Sequence, residues 1–128
     1  MAKTSSKTFS GPVLASLRND AFLYIRADEE HRFLGIWAVV VDGRAFVRSW
    51  NNKPSGWHAA LLKNPAGAIR ISKREIPIRV RVANGQRLND AIDRAYLEKF
   101  PSKGWRKYAV GLAEPARRAT TLELLPKM

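Results

Sequence analysis

Asp42-Gly43 stands between two runs of strand-forming residues, Phe33 to Val41 and Arg44 to Trp50. A two-residue type I′ turn needs positive φ at both central positions, and Asp-Gly supplies it at low steric cost. The pair therefore predicts an antiparallel hairpin. Its first arm is apolar on both faces, which predicts a central strand. Upstream, Ala21 to Arg26 alternates, with Phe22, Tyr24 and Arg26 on one face and Leu23 and Ile25 on the other. Downstream, Ala68 to Ser72 and Ile76 to Val82 read as two more strands. In the second, Ile76, Ile78, Val80 and Val82 are expected to face inward, and Pro77, Arg79 and Arg81 outward. Pro77 has no amide donor, so it is expected near an edge or a bulge. Thr120 to Leu125 reads as the last strand.

Helical signals lie between and after these strands. Pro12 to Arg18 and Trp57 to Lys63 suit short helices, the second ended by Asn64-Pro65. Asn89 is expected to cap a helix from Asp90 to Phe100, with Asp90 and Asp93 in the first turn, where the dipole favours negative charge. Pro101 stops that helix. Trp105 to Leu112 suits another, and Pro115 suits a first helical position. Strands first, then helices, then one closing strand argue for α+β with a mainly antiparallel sheet.

At 128 residues the chain suits one domain with one ordinary core, and two packed cores are not expected. Hydrophobic residues make up 45% of it, which argues against disorder. Met1 to Ser10, rich in Ser, Thr and Lys, reads as a flexible tail, leaving residues 11–128 as the domain. The longest apolar run, Phe33 to Val41, is too short to span a membrane. With the polar N-terminus, this gives the expectation of a cytoplasmic protein.

There is no cysteine, which excludes disulfides, thiolate metal sites and a thiol nucleophile. His31 and His58 are separated, and Asp28, Glu29 and Glu30 are consecutive and point different ways, so no metal is expected. No nucleophile elbow, zinc-protease motif, Walker loop or dinucleotide fingerprint occurs. Hydrolase chemistry has no support, and no catalytic residue is assigned.

The formal charge of +12 favours anionic partners without choosing among them. Two spans carry it. Arg48-Ser49-Trp50-Asn51-Asn52-Lys53, followed by Trp57, offers guanidinium, hydroxyl, amides and ammonium beside a ring, groups able to hold a phosphate. The same span also suits an ordinary hairpin exit. Arg70, Lys73, Arg74, Arg79, Arg81 and Arg87 oppose the single acid Glu75 between Gly67 and Arg87. They suit either a phosphate-tracking patch or a solvated face that guards a sheet edge.

Five segments occur in an order that resembles a known family: Ile36 to Val40, Phe46 to Ser49, Trp57, Ile92 to Phe100 and Ala119 to Pro126. It is the bacterial family called domain of unknown function 2255, related to the FMN-binding split-barrel and deazaflavin-dependent reductase proteins. The resemblance spans about Phe22 to Pro126. It departs at the turn Asp28 to Arg32, which lacks an expected glycine, and at His58, where another aromatic ring is common. The resemblance implies a split β-barrel of about six mainly antiparallel strands with short flanking helices, assembled as a homodimer. It further implies FMN or the deazaflavin F420, with Arg48, Ser49, Asn51, Asn52 and Lys53 near the cofactor phosphate and Trp57 packing beside it. Two functions follow as expectations. One is a flavin-type redox protein acting on a small-molecule substrate. The other is a non-catalytic basic module for an anionic partner such as nucleic acid.

Overall fold

The computed structural model describes residues 9–28, 31–51 and 56–127. In chain order the elements are α1 (Gly11–Asn19), β1 (Leu23–Arg26), β2 (Leu34–Ile36), β3 (Ala38–Val41), β4 (Arg44–Val47) and α2 (Trp57–Lys63). There follow β5 (Ala66–Ile71), β6 (Arg74–Val82), α3 (Gln86–Lys99), α4 (Lys103–Gly111), α5 (Pro115–Arg118) and β7 (Leu122–Pro126). Every strand pairing is antiparallel.

The hairpin forms where the sequence places it. Asp42 and Gly43 have φ of 54° and 74°, and Val41 pairs with Arg44. The expected single strand from Phe33 to Val41 is instead two, broken at Trp37. The sheet order is β2-β1-β5-β6-β7-β4-β3, so β2 and β3 are its two edges. Only Trp37 separates them in sequence, a span of roughly 7 Å at most. The seven strands must therefore curl until the edges nearly meet, which makes a split-barrel-like sheet. The expectation of a central strand is overturned: the β3 part of the run is apolar on both faces because this edge strand is covered on both sides, whereas Leu34 of β2 is exposed. Ala38 and Val40 face the barrel interior, while Val39 and Val41 face the packing under α3.

There are accordingly two clusters of buried side chains, on the two faces of one sheet, where one core was expected. The interior holds Leu23, Ile25, Val47, Leu61, Ile69, Ile78, Leu122 and Leu124. Phe9, Val13 and Leu17 of the first helix and its lead-in join it; residues 1–8 of the expected tail lie outside the described residues. The outer cluster joins Val39 and Phe46 to Ile92 and Tyr96 of α3 and to Phe100 at its C-cap. Each large apolar side chain fully buried this way stabilises by about 1.5–3 kcal/mol.

Three further expectations change. The helix expected from Asp90 begins one turn earlier, because Asn89 does not cap it. Its Oδ1 instead accepts from Arg48 and Thr121. Val82 is exposed rather than inward, at the end of β6. Pro77 lies in an interior strand, but its carbonyl bonds Lys127, so its missing donor faces the point where β7 runs out. On the outer face Glu123 is buried between Arg44 and Arg81, each about 2.9 Å away. Burial opposes its ionisation, but the bonds from both arginines outweigh this and hold its carboxyl below the usual range.

Candidate functional site

The point where the sheet edges approach is also the mouth of a cavity of about 480 Å³. One wall is β2 with Trp37, and another is the β4 exit from Arg48 to Asn51. The start of α2 supplies Gly56 and Trp57, and α4 with its C-cap supplies Tyr108 and Leu112. The volume falls within the roughly 300–1,000 Å³ typical of small-molecule sites.

Aromatic rings set its shape. Trp37 stacks on Phe100 with centroids 3.7 Å apart and planes 6° from parallel. Tyr108 meets Trp37 edge-on at 6.4 Å and Trp50 at 5.4 Å. Trp50 is seated by Gly111, where a Cβ would fall 2.5 Å from its Cη2 atom. The Tyr96 hydroxyl donates to the Trp37 carbonyl at 3.0 Å and fixes the corner from below.

The structure brings Arg48, Ser49, Asn51 and Trp57 together along this cavity. Asn52 and Lys53 lie outside the described residues. The Arg48 side chain is 0% exposed and turns inward. Its Nε donates to Thr121 Oγ1, Nη1 to Asp93 and the Leu112 carbonyl, and Nη2 to the carbonyl and side chain of Asn89. These bonds engage all five N–H groups of a guanidinium, so Arg48 has no donor left for a ligand phosphate. Asp93 also accepts from Arg118, which pairs with Asp90 as well. Ser49 is largely engaged too. Its amide donates to Thr120 Oγ1 and its hydroxyl to the Asn51 carbonyl. Asn51 is exposed and Trp57 is buried against the barrel interior.

His58, weighed in sequence as one of two separated histidines and as a departure from a family pattern, is placed behind the site. It is 5% exposed, with Nε2 2.9 Å from the Thr120 carbonyl. A carbonyl only accepts, so Nε2 carries the proton and Nδ1 keeps a lone pair. Nδ1 is buried with no hydrogen-bond partner among the described residues. Burial lowers the His58 pKa and outweighs the opposing bond to Thr120. Away from the cavity, Lys99 donates to the carbonyls of Leu17 and Ala38, joining α1 to β3, and burial pushes its ammonium down to about 8.

The basic span takes shape on the outer sheet face. The register pairs Arg70 with Glu75 and Ala66 with Arg79, so Arg70, Arg79 and Arg81 share one face. Arg70 lies over the rings of Tyr24 and Phe33, and Arg81 binds Glu123. Among the described residues no group of three or more His, Asp and Glu is placed to hold a metal. No described helix is long and apolar enough to cross a membrane.

Fold and cavity together define a split-barrel-like α+β protein with an aromatic-walled pocket at the seam. Residues 15–124 match the family described as "Uncharacterized protein conserved in bacteria (DUF2255)", and the chain belongs to that family. A solved structure of similar fold is a conserved hypothetical protein from Mycobacterium tuberculosis. It superposes with a TM-score of 0.52 at 9% identity, over 99% of this chain and 85% of that one. No curated protein matches the chain in sequence.

Proposed function

We propose that the cavity binds a planar ring cofactor of the flavin type, FMN or F420, for redox chemistry on a small molecule. The observation that carries this is the cavity itself: about 480 Å³, closed on several sides by Trp37, Trp50, Trp57 and Tyr108. Flat rings gain both apolar burial and offset or edge-on contact with such walls. The residues present fit the ring. A bound flavin or deazaflavin would supply hydride or electron transfer, which side chains lack. The chain's own part is to seat the ring, to hold water away from one side of it, and to leave the open side for a substrate. Trp37 is suited to the first task because Phe100 and Tyr96 hold it rigidly.

The resemblance also implies a homodimer. Phe22, Tyr24 and Leu34 are exposed on and beside β1 and β2, and a second copy would cover them. Light scattering of the purified protein tests that point. A second function, a basic module for nucleic acid, draws support from the shared face of Arg70, Arg79 and Arg81. Its affinity would fall steeply with salt, and salt-independent binding would sink it.

The experiment for the main reading is an absorbance spectrum of freshly purified protein, then titration with FMN and F420. A bound chromophore, or saturable binding near one per chain, supports it. A colourless protein that ignores both rejects it and leaves the basic module to be tested.

A further inference from the structure

Arg48 spends its N–H groups inside the protein, so the inner end of the β4 exit leaves a charged ligand tail without that arginine. Trp50, a wall of the cavity, carries another arginine on its ring. The Arg117 guanidinium lies over the Trp50 ring, 3.6 Å from its centroid, and its side chain is 24% exposed. Its Nε donates to the Trp50 carbonyl at 3.1 Å, and Nη1 to the Gly111 carbonyl and to Glu114. Among the described residues Nη2 has no protein acceptor. Glu114 is itself 64% exposed, and such surface pairs contribute little, so an anion can replace it. On α4, Lys107 stands one helical turn before Gly111, and its Nζ lies 5.3 Å from the Tyr108 ring centroid. Trp50 and Tyr108 both wall the cavity and touch each other.

We propose that Arg117 and Lys107 form an anion subsite at the lip of the cavity. It takes the anionic tail, phosphate or carboxylate, of a ring ligand seated against Trp37, Trp50 and Tyr108. This rests on the ring-binding reading above and adds where the charge goes. The chemistry is consistent at each step. Stacking on Trp50 and two backbone bonds hold the guanidinium in place before the ligand arrives, which reduces the ordering cost of binding. Charge-assisted bonds from an arginine to an oxyanion are among the stronger polar contacts. The net charge of +12 draws anions toward the surface.

Quenching of tryptophan fluorescence by riboflavin and by FMN tests the assignment, because the two share a ring and differ by one phosphate. The wild-type protein is expected to bind FMN about tenfold tighter than riboflavin, an advantage that shrinks as salt rises. Arg117→Gln with Lys107→Gln is expected to bring the two affinities within about twofold of each other. Arg117 also holds Trp50, so Lys107→Gln alone provides the second reading. It should remove about threefold of the FMN advantage and leave riboflavin affinity unchanged. An FMN advantage that survives in the double variant overturns the subsite while the ring reading stands. Equal binding of both flavins by the wild type does the same. If neither flavin binds, the subsite falls, and if F420 is ignored as well the ring reading falls with it.

Discussion

The Tyr96 hydroxyl donates to the backbone carbonyl of Trp37 at 3.0 Å, tying α3 to the residue that joins the two edges of the sheet. Burial holds that hydroxyl protonated well above its ordinary range, so it remains a donor in mildly alkaline solution. Tyr96→Phe keeps the ring packing and leaves the carbonyl without its donor. The expected cost is about 1–2 kcal/mol, read from denaturant unfolding. The near-UV circular dichroism of the tryptophans should change with it. An unchanged spectrum and midpoint would mean that the corner is fixed by ring stacking alone.

Arg48 is expected to matter for stability. It carries an ion pair to Asp93 at 2.6 Å and bonds to Thr121 just before β7, to Asn89 of α3 and to the C-cap of α4. Arg48→Ala leaves several buried acceptors unmet and should destabilise by about 3 kcal/mol or more. Arg48→Lys should recover only part of this, because an ammonium cannot reproduce the planar fork. Any loss of ligand affinity should be equal for riboflavin and FMN. A selective loss of FMN would return Arg48 to the phosphate site.

Gly111 is expected to set the position of Trp50. Gly111→Ala places a Cβ 2.5 Å from the Trp50 ring, closer than carbon atoms tolerate, so the ring must move. Fluorescence emission should shift, and ring-ligand affinity should fall by about tenfold, on the order of 1.4 kcal/mol. Unchanged emission would show that the helix yields instead of the ring.

Much of this fold could be read from local chemistry. Asp42-Gly43 carries its own turn geometry, and Trp57 to Lys63 carries its helical spacing and its stop at Asn64-Pro65. What sequence could not show were choices made by tertiary partners. The apolar run around Trp37 reads the same for a central strand as for an edge strand covered on both faces. Asn89 looks like a cap until Arg48 and Thr121 claim its side chain. The cavity residues Arg48, Ser49, Asn51 and Trp57 were visible as part of a polar span beside a ring. The walls from α4, Tyr108 and Leu112, were not, because they reach the site from more than fifty residues away. Arg117 had no local signal at all. Its role depends on the ring of Trp50 lying beneath it.

His58 should make stability depend on pH in mild acid. Burial lowers its pKa in the folded state below the ordinary 6.5. The unfolded chain therefore takes up a proton first as pH falls, and protons favour unfolding. Stability present above about pH 6.5 should decline below it. His58→Gln, which retains a donor for the Thr120 carbonyl, should flatten that decline in thermal melts between pH 5 and 7. An equal decline in the variant would assign it to other groups.

The central claim is that the aromatic cavity holds a flat ring. It is tested most directly by titrating riboflavin into the wild-type protein and into Trp50→Ala, following tryptophan fluorescence. Saturable quenching near one ring per chain, weakened at least about tenfold in Trp50→Ala, is the expected result. Absence of saturable quenching, or equal affinity in the two proteins, would contradict the account.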